Sequence, residues 1–351
     1  MRHVNAIAKD GDKMFQPFTE QAGNHAIMHM AYDQAQAIRQ AIIPFSGLDE
    51  GTLFQQRDAI AAGLDQCIDT RQRGILRQFA SDEQCVALIC KGFPVDDDLP
   101  PTPYSGYSQQ GGTSMAAALN IGLYALMGLH PVTYAGENDY RLLRHVVPTR
   151  HAQKDKSSHG SRRRFGVHVD NPDLPLGDEP LDGRSACPEF LSLFGLRCDT
   201  RVKTDILPLD PILDRCNMAT LDELMAPQFT LRRPDSFGPD KPSTPHLPLI
   251  VERDGVYLCR YDQENTLPET ALAASAMMLF QHEIDRARER ISLLLLAGDF
   301  VIFKNQRVLH ARDGFMPRFD GTDRWLLRLF GLSAASRCLP MNGFPPFVVQ
   351  A

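Results

Sequence analysis

The chain has 351 residues, 43% of them hydrophobic, with 43 acidic against 37 Lys and Arg side chains and a formal net charge of −6. That is enough apolar material for a sizeable core without disulfide support, and the dispersed negative balance argues against a nucleic-acid-binding face. No apolar run approaches about 18 residues and the N-terminal MRHVNAIAKDGDKMF has no hydrophobic signal core, so a soluble, cytoplasmic protein without membrane or nucleic-acid partners is expected.

Residues 1 to 80 carry broken helical periodicity in HAIMHMAYDQAQAIRQAI and TLFQQRDAIAAGLDQCI, which predicts helices packed on the core. His25 and His29, four apart, could share a helical face, but no third ligand accompanies them. EQCVALICKGFPV reads as a strand ended by Gly92 and Pro94, and DDDLPPTP as an extended loop. Thr113 to Leu129 predicts an apolar helix rich in small residues, suited to packing under a sheet; residues 139 to 147 fit either helix or strand. Arg150 to Arg164, RHAQKDKSSHGSRRR, is a basic loop, either simply solvated or forming the mouth of a site that anionic ligands order.

In RRRFGVHVDNPD, His168 and Asp170 are two apart, so on a strand both point one way while Phe165, Val167 and Val169 point the other. That spacing offers an imidazole and a carboxylate to one metal ion. Asn171 to Ala186, NPDLPLGDEPLDGRSA, suits a lid over such a site. FLSLFGLRC and VKTDILPL are strand candidates, Thr204 lying in the second, followed by a helix at 210 to 225. PDSFGPDKPSTPHLP predicts a surface loop, and LIVERDGVYLCRY a hairpin whose type I′ turn is Asp254-Gly255. In CRYDQEN, Asp262 and Glu264 would share one strand face, as a functional acid pair or as a solvated strand end. A helix at 268 to 291 carries His282-Glu283 without the second histidine of a zinc protease. The eight cysteines form no CxxC pair, which predicts free thiols rather than zinc ligands.

The last large element, GDFVIFKNQRVLHARDGFMPRFDGTDRWLLRLFG, delivers His310 after two short apolar runs. With His168 and Asp170 it makes two histidines and one carboxylate, the set that leaves three positions open on non-haem Fe(II). In RWLLRLF, alternation puts Arg324, Leu326, Arg328 and Phe330 on one face and Trp325, Leu327 and Leu329 on the other. Two arginines on a strand this apolar mark either a free anion or a solvated outer face.

This stretch resembles the C-terminal signature of the clavaminate-synthase-like branch of Fe(II)/2-oxoglutarate oxygenases, in the taurine-dioxygenase superfamily. Shared features are the Asn and Arg before a V-L-H-G-R core, the F/Y-D-G-T-D-R-W block and the fourteen-residue step from His310 to Arg324. Weaker echoes lie in GFPVDDDLPPTP, KSSHGSRRRFGVHVD and FLSLFGLRCDTRVKT, and together they span about two thirds of the chain. The resemblance implies a mainly β fold with flanking helices around a double-stranded β-helix (jelly-roll) core. A single oxygenase domain over 1–351 is expected: a helical elaboration at 1–80, the core at 81–335 with lid loops near 150–164 and 171–186, and a tail at 336–351.

It further implies that His168, Asp170 and His310 hold the iron, and that Arg324 with Thr204 binds the distal carboxylate of the cosubstrate 2-oxoglutarate. Arg328 would pair with the carboxylate of a small-molecule substrate, and Asp262 and Glu264 would read a cationic side chain. The implied reaction consumes O2, releases succinate and CO2, and hydroxylates an unactivated C–H bond of a free amino acid, a basic arginine-like one included, or of a derivative. Desaturation, cyclisation, or a carrier-bound or non-amino-acid metabolite of secondary metabolism is the alternative. Two departures stand out: Ala311 replaces the glycine after the second histidine, and Asp170 stands where the branch's amino-acid hydroxylases more often carry glutamate. A carboxylate there argues against halogenation.

Overall fold

Alternation along the strands sorts the apolar residues into two cores, and the layers follow from that sorting. The structure, a computed structural model, describes residues 18–108, 113–154, 159–234, 237 and 242–351. The N-terminal part comprises β1 (Phe18–Ala22), β2 (His25–His29), α1 (Tyr32–Ile42), α2 (Glu50–Gln55), α3 (Arg57–Cys67), α4 (Thr70–Gln78), β3 (Ala87–Lys91) and α5 (Ser114–Leu126). There follow β4 (His130–Tyr134), β5 (Arg144–Val146), β6 (Phe165–His168), β7 (Phe190–Arg197), β8 (Thr204–Pro208), α6 (Asp210–Leu213) and α7 (Met218–Met225). Smaller strands β9 (Phe229–Arg232), β10 (Ser243–Leu247), β11 (Ile250–Arg253), β12 (Val256–Cys259) and β13 (Thr266–Pro268) precede α8 (Ala271–Arg286). The chain closes with β14 (Ile291–Leu293), β15 (Phe300–Lys304), β16 (Val308–Arg312), β17 (Trp325–Leu332) and β18 (Val348–Val349).

The larger sheet runs β1-β2-β3-β15-β7-β17-β4-β18, with β5 also on β17; the smaller runs β14-β8-β16-β6. Leu191, Leu193, Val301, Phe303, Leu326 and Phe330 of the large sheet share one core with Val167, Ile206, Leu207, Leu309 and Ala311 of the small one. The reverse face of the large sheet (Phe194, Phe300, Ile302, Trp325, Leu327, Leu329) packs on Ile38, Leu64 and Leu119 of the helices. The large sheet is therefore buried on both sides, which is why its central strands read as unbroken apolar runs. Gly298 (φ +82) lets the chain enter β15 against the Phe93 carbonyl, where a Cβ would lie 2.2 Å from that oxygen.

Several expectations are met: β3 ending at Gly92, α5 under the sheet, and the β11–β12 hairpin turning at Asp254 (φ 52) and Gly255 (φ 82). Others are corrected. His25 and His29 lie on strand β2, paired parallel to β3, and not on a helix; HAIMH is short enough to fit either period, and pairing with β3 selected the extended one. The predicted helix at 210–225 is two helices, the second capped by the Asn217 side chain accepting from Thr220 N–H. The predicted surface loop at 234–248 contains β10, which pairs with β9, while 235–236 and 238–241 lie outside the described residues, as do 1–17 of the N-terminal elaboration and 155–158 of the basic loop. The ambiguous 139–147 stretch includes strand β5. The helix predicted to reach 291 stops at Arg286, and Ile291 opens β14.

The segment 171–186, expected to be a lid, is tied down at several points. Leu174 and Leu176 are fully buried, and Asp173 accepts an ion pair from Arg233 Nη2 at 2.7 Å. Arg260, itself buried, donates to Glu179 and to the carbonyls of Pro172 and Leu174. Among the described residues no helix is long and apolar enough to cross a membrane.

Candidate active site

Strands β6 and β16 are antiparallel neighbours with His168 directly opposite His310, which sets the imidazole centroids 4.1 Å apart. The chain leaves the sheet after His168, and Asn305 takes over from the strand ladder. Its Oδ1 accepts the Asp170 N–H at 3.0 Å and its Nδ2 donates to the Asp170 carbonyl at 3.1 Å. The carboxylate is thereby turned back towards the imidazoles, 3.4 Å from His310 Nε2 and 3.9 Å from His168 Nε2. One ligand atom from each of His168, Asp170 and His310 lies within 4.8 Å of the others, and all three residues are buried.

The polar atoms of this cluster fit a cation. His168 Nδ1 donates to the Gly166 carbonyl at 2.8 Å, so in the neutral ring Nε2 carries the lone pair; that atom is buried without a hydrogen-bond partner. Burial, reinforced by His168, lowers the His310 pKa to about 4, which keeps the ring neutral and able to ligate near pH 7. Burial alone would raise the Asp170 pKa, but Arg328 and the two imidazoles outweigh it and hold the carboxyl ionised. Two neutral imidazoles and one carboxylate are the donor set of mononuclear non-haem Fe(II) sites.

A cavity of about 50 Å³ adjoins the cluster, lined by His168, Asp170 and His310 together with Thr204, Arg312, Arg324, Arg328 and apolar residues such as Phe165, Leu191 and Leu193. Arg324 Nη2 donates to Thr204 Oγ1 at 2.8 Å, joining the two residues that the sequence singled out separately. Burial, with Arg312 as a like-charged neighbour, brings the Arg324 pKa down to about 9. Arg328 reaches Asp170 at 3.5 Å and forms a close ion pair with Glu137, which also faces Arg144 at 3.8 Å and accepts from Asn171 Nδ2 at 3.4 Å.

Asp262 and Glu264 do not share a strand face. The chain turns at 263–265, and the buried Asp262 carboxylate accepts from the Glu264 and Asn265 N–H groups and from Asn265 Nδ2 at 2.7 Å, while Glu264 is exposed. An aspartate at the start of a turn satisfies its own backbone more readily than it projects from a strand. Asp262 still touches the site through backbone pairing with His168. Sequence reasoning missed Glu137, Arg144, Asn305 and Arg312. Arg312 could have been found, since it follows His310 at the same two-residue spacing by which Asp170 follows His168.

Comparison with known proteins places this geometry in context. The Taurine catabolism dioxygenase TauD, TfdA family matches residues 244–330. The chain is 29% identical over 268 residues to the L-asparagine oxygenase of Streptomyces coelicolor, covering 76% of each. To the L-lysine 3-hydroxylase of Catenulispora acidiphila it is 26% identical over 265 residues, covering 71% of this chain and 68% of that one. In structure it is similar to an asparagine oxygenase solved with Fe(II), 2S,3S-3-hydroxyasparagine and succinate (TM-score 0.77, 25% identity, 93% of this chain and 99% of that one). The non-heme iron oxygenase OrfP, solved with Fe and alpha-ketoglutaric acid, shares the fold (TM-score 0.76, 23% identity, 90% and 96% coverage). The protein is thus a non-haem iron dioxygenase, a hydroxylase that uses Fe(II), 2-oxoglutarate and O2. Over 83 residues it is also 37% identical to clavaminate synthase 2 of Streptomyces clavuligerus, covering 24% of this chain and 25% of that one.

Proposed function

We propose that this enzyme hydroxylates an unactivated C–H bond of a free amino acid, basic side chains included, with His168, Asp170 and His310 holding the iron. In the same reading Arg324 and Thr204 hold the distal carboxylate of 2-oxoglutarate and Arg328 meets the substrate carboxylate. The observation that carries it is the single cavity onto which the three candidate ligands, Thr204 and both arginines open. Iron held there would activate O2, the oxidant, with 2-oxoglutarate giving two electrons: one oxygen atom would go into succinate as CO2 leaves, and the other into the C–H bond.

The chain's own residues bind, orient and exclude water. A guanidinium matches a carboxylate bidentately, so Arg324 fixes which end of the cosubstrate faces the iron. Leu191, Leu193, Leu326 and Phe165 give the cavity an apolar wall that keeps bulk water from the reacting bond. Arg328 lines the cavity and offers the complement of an amino acid's α-carboxylate, while the buried Glu137 is its ion-pair partner. The named activities of the asparagine, lysine and enduracididine relatives support a free amino acid as the small-molecule substrate.

The two sheets sharing one core support a double-stranded β-helix reading, with 81–335 as its core in a single domain over 1–351. All eight cysteines are unpaired, which supports a reducing, cytoplasmic setting. The test is a screen of free amino acids with Fe(II), 2-oxoglutarate and O2, read by mass spectrometry for the gain of one oxygen. Succinate formation coupled to none of them would overturn the proposal.

A further inference from the structure

Arg312 lies two residues beyond His310 on β16 and lines the same cavity as Arg324. It is 6% exposed, and its Nη2 is buried with no hydrogen-bond partner among the described residues. Its Nη1 makes one long bond, 3.3 Å to the Asp313 carbonyl. Among the described residues no carboxylate lies within ion-pair distance of Arg312 or of Arg324. Other buried arginines of this protein are paired: Arg260 with Glu179, Arg307 with Asp210 and Arg328 with Glu137.

Two buried cations on one cavity wall, with no carboxylate of the described residues in ion-pair reach of either, are unfavourable through both desolvation and mutual repulsion. Val146, Ala311 and Leu326 give the wall an apolar part, and the Thr204 hydroxyl takes one proton of Arg324, while Arg312 Nη2 has no acceptor among the described residues. An anion with two acceptor oxygens would satisfy both groups at once.

We propose that Arg312 is the second half of the cosubstrate anchor: with Arg324 and the Thr204 hydroxyl it clasps the distal carboxylate of 2-oxoglutarate, and so selects 2-oxo acids that carry a second carboxylate. This rests on the assignment of Arg324 to that carboxylate given above. Arg312 is a binding residue in this scheme and takes no part in bond making. Packing alone, on the Phe315 ring 5.4 Å away, would leave ligand selectivity unchanged.

The experiment is calorimetric titration of the Fe(II)-loaded full chain under anaerobic conditions with 2-oxoglutarate and with 2-oxopentanoate, which has the same carbon chain without the distal carboxylate. Arg312→Gln should weaken 2-oxoglutarate binding about ten- to a hundredfold while changing 2-oxopentanoate binding less than about twofold, since a hydrogen bond between charged groups is lost for one ligand only. Arg312→Lys should fall between. Thermal midpoints of the unliganded proteins establish that the variants fold. If Arg312→Gln does not fold, Arg312→Lys decides: a loss confined to 2-oxoglutarate supports the proposal, and no loss or an equal loss for both ligands overturns it. Arg324→Gln separates the two assignments. If it leaves 2-oxoglutarate binding intact, the cosubstrate pocket itself is misassigned; if it weakens binding while Arg312→Gln does not, only the role of Arg312 fails.

Discussion

Asn305 grips both backbone polar groups of Asp170, accepting its N–H and donating to its carbonyl across 135 positions of sequence. One uncharged side chain thus sets the direction in which a carboxylate faces two imidazoles. Asn305→Ala removes both bonds, leaving the buried Asp170 N–H without a partner and its carbonyl with only the Cys187 thiol at 3.4 Å, so stability should fall by about 1–3 kcal/mol. Loss of a residue that orients a ligand costs about ten- to a hundredfold in metal affinity. Fe(II) titration beside urea unfolding checks both; undiminished metal affinity would show that Asp170 keeps its orientation unaided.

Metal removal should be reversible and specific. Chelation is expected to abolish turnover, and Fe(II) to restore it. His310→Ala and Asp170→Ala should each remove Fe(II) binding, because two remaining protein ligands do not hold the ion against solvent. Metal content after dialysis is the measurement, and a His310→Ala variant that retains iron would exclude His310 as a ligand.

Acid should destabilise the fold through buried neutral histidines. Burial, with Arg141 nearby, lowers the His145 pKa from the ordinary 6.5 to about 4; burial, with Arg144 nearby, lowers that of His159 to about 3. Between the two pKa values the unfolded chain binds a proton that the folded chain does not, so stability falls as pH drops from 6.5 towards 4. Each group contributes at most about 1.4 kcal/mol per pH unit in that window. His145 Nδ1 accepts from Trp325 Nε1 at 3.1 Å. Because glutamine can accept that bond too, His145→Gln should keep the contact and flatten the pH slope of unfolding free energy by one proton's worth. An unchanged slope would rule His145 out as a source.

Arg260 pins the 171–186 segment from beneath. Arg260→Met leaves two carbonyls without that donor and Glu179 with only the Leu176 N–H, a loss of about 1–3 kcal/mol. Denaturant unfolding should register that loss, and limited proteolysis should open new cleavage sites within 171–186. A variant as protease-resistant as the parent would mean that the buried Leu174 and Leu176 hold the segment by themselves.

Strand β17 was legible in the sequence because alternation divides it cleanly, arginines to one core and Trp325 to the other. The approach of His168 to Asp170 was legible as a spacing of two, although the strand ends at His168 and Asn305 supplies the final turn. Glu137 was not legible: its partner Arg328 is 191 positions away, and nothing local in AGENDY marks a buried acid. Asp262 misled because a carboxylate next to an apolar strand looks the same in sequence whether it projects or folds back on its own turn. β2 misled because five residues are too few to separate two periods.

Because Trp325 to Leu332 is enclosed on both sides, this strand has no tolerance for length change. Inserting or deleting one residue would exchange its two faces, sending both guanidiniums into the helical layer and the indole into the cavity. Diversification of this scaffold towards new substrates is thereby confined to the connecting segments and to like-for-like replacements in the wall.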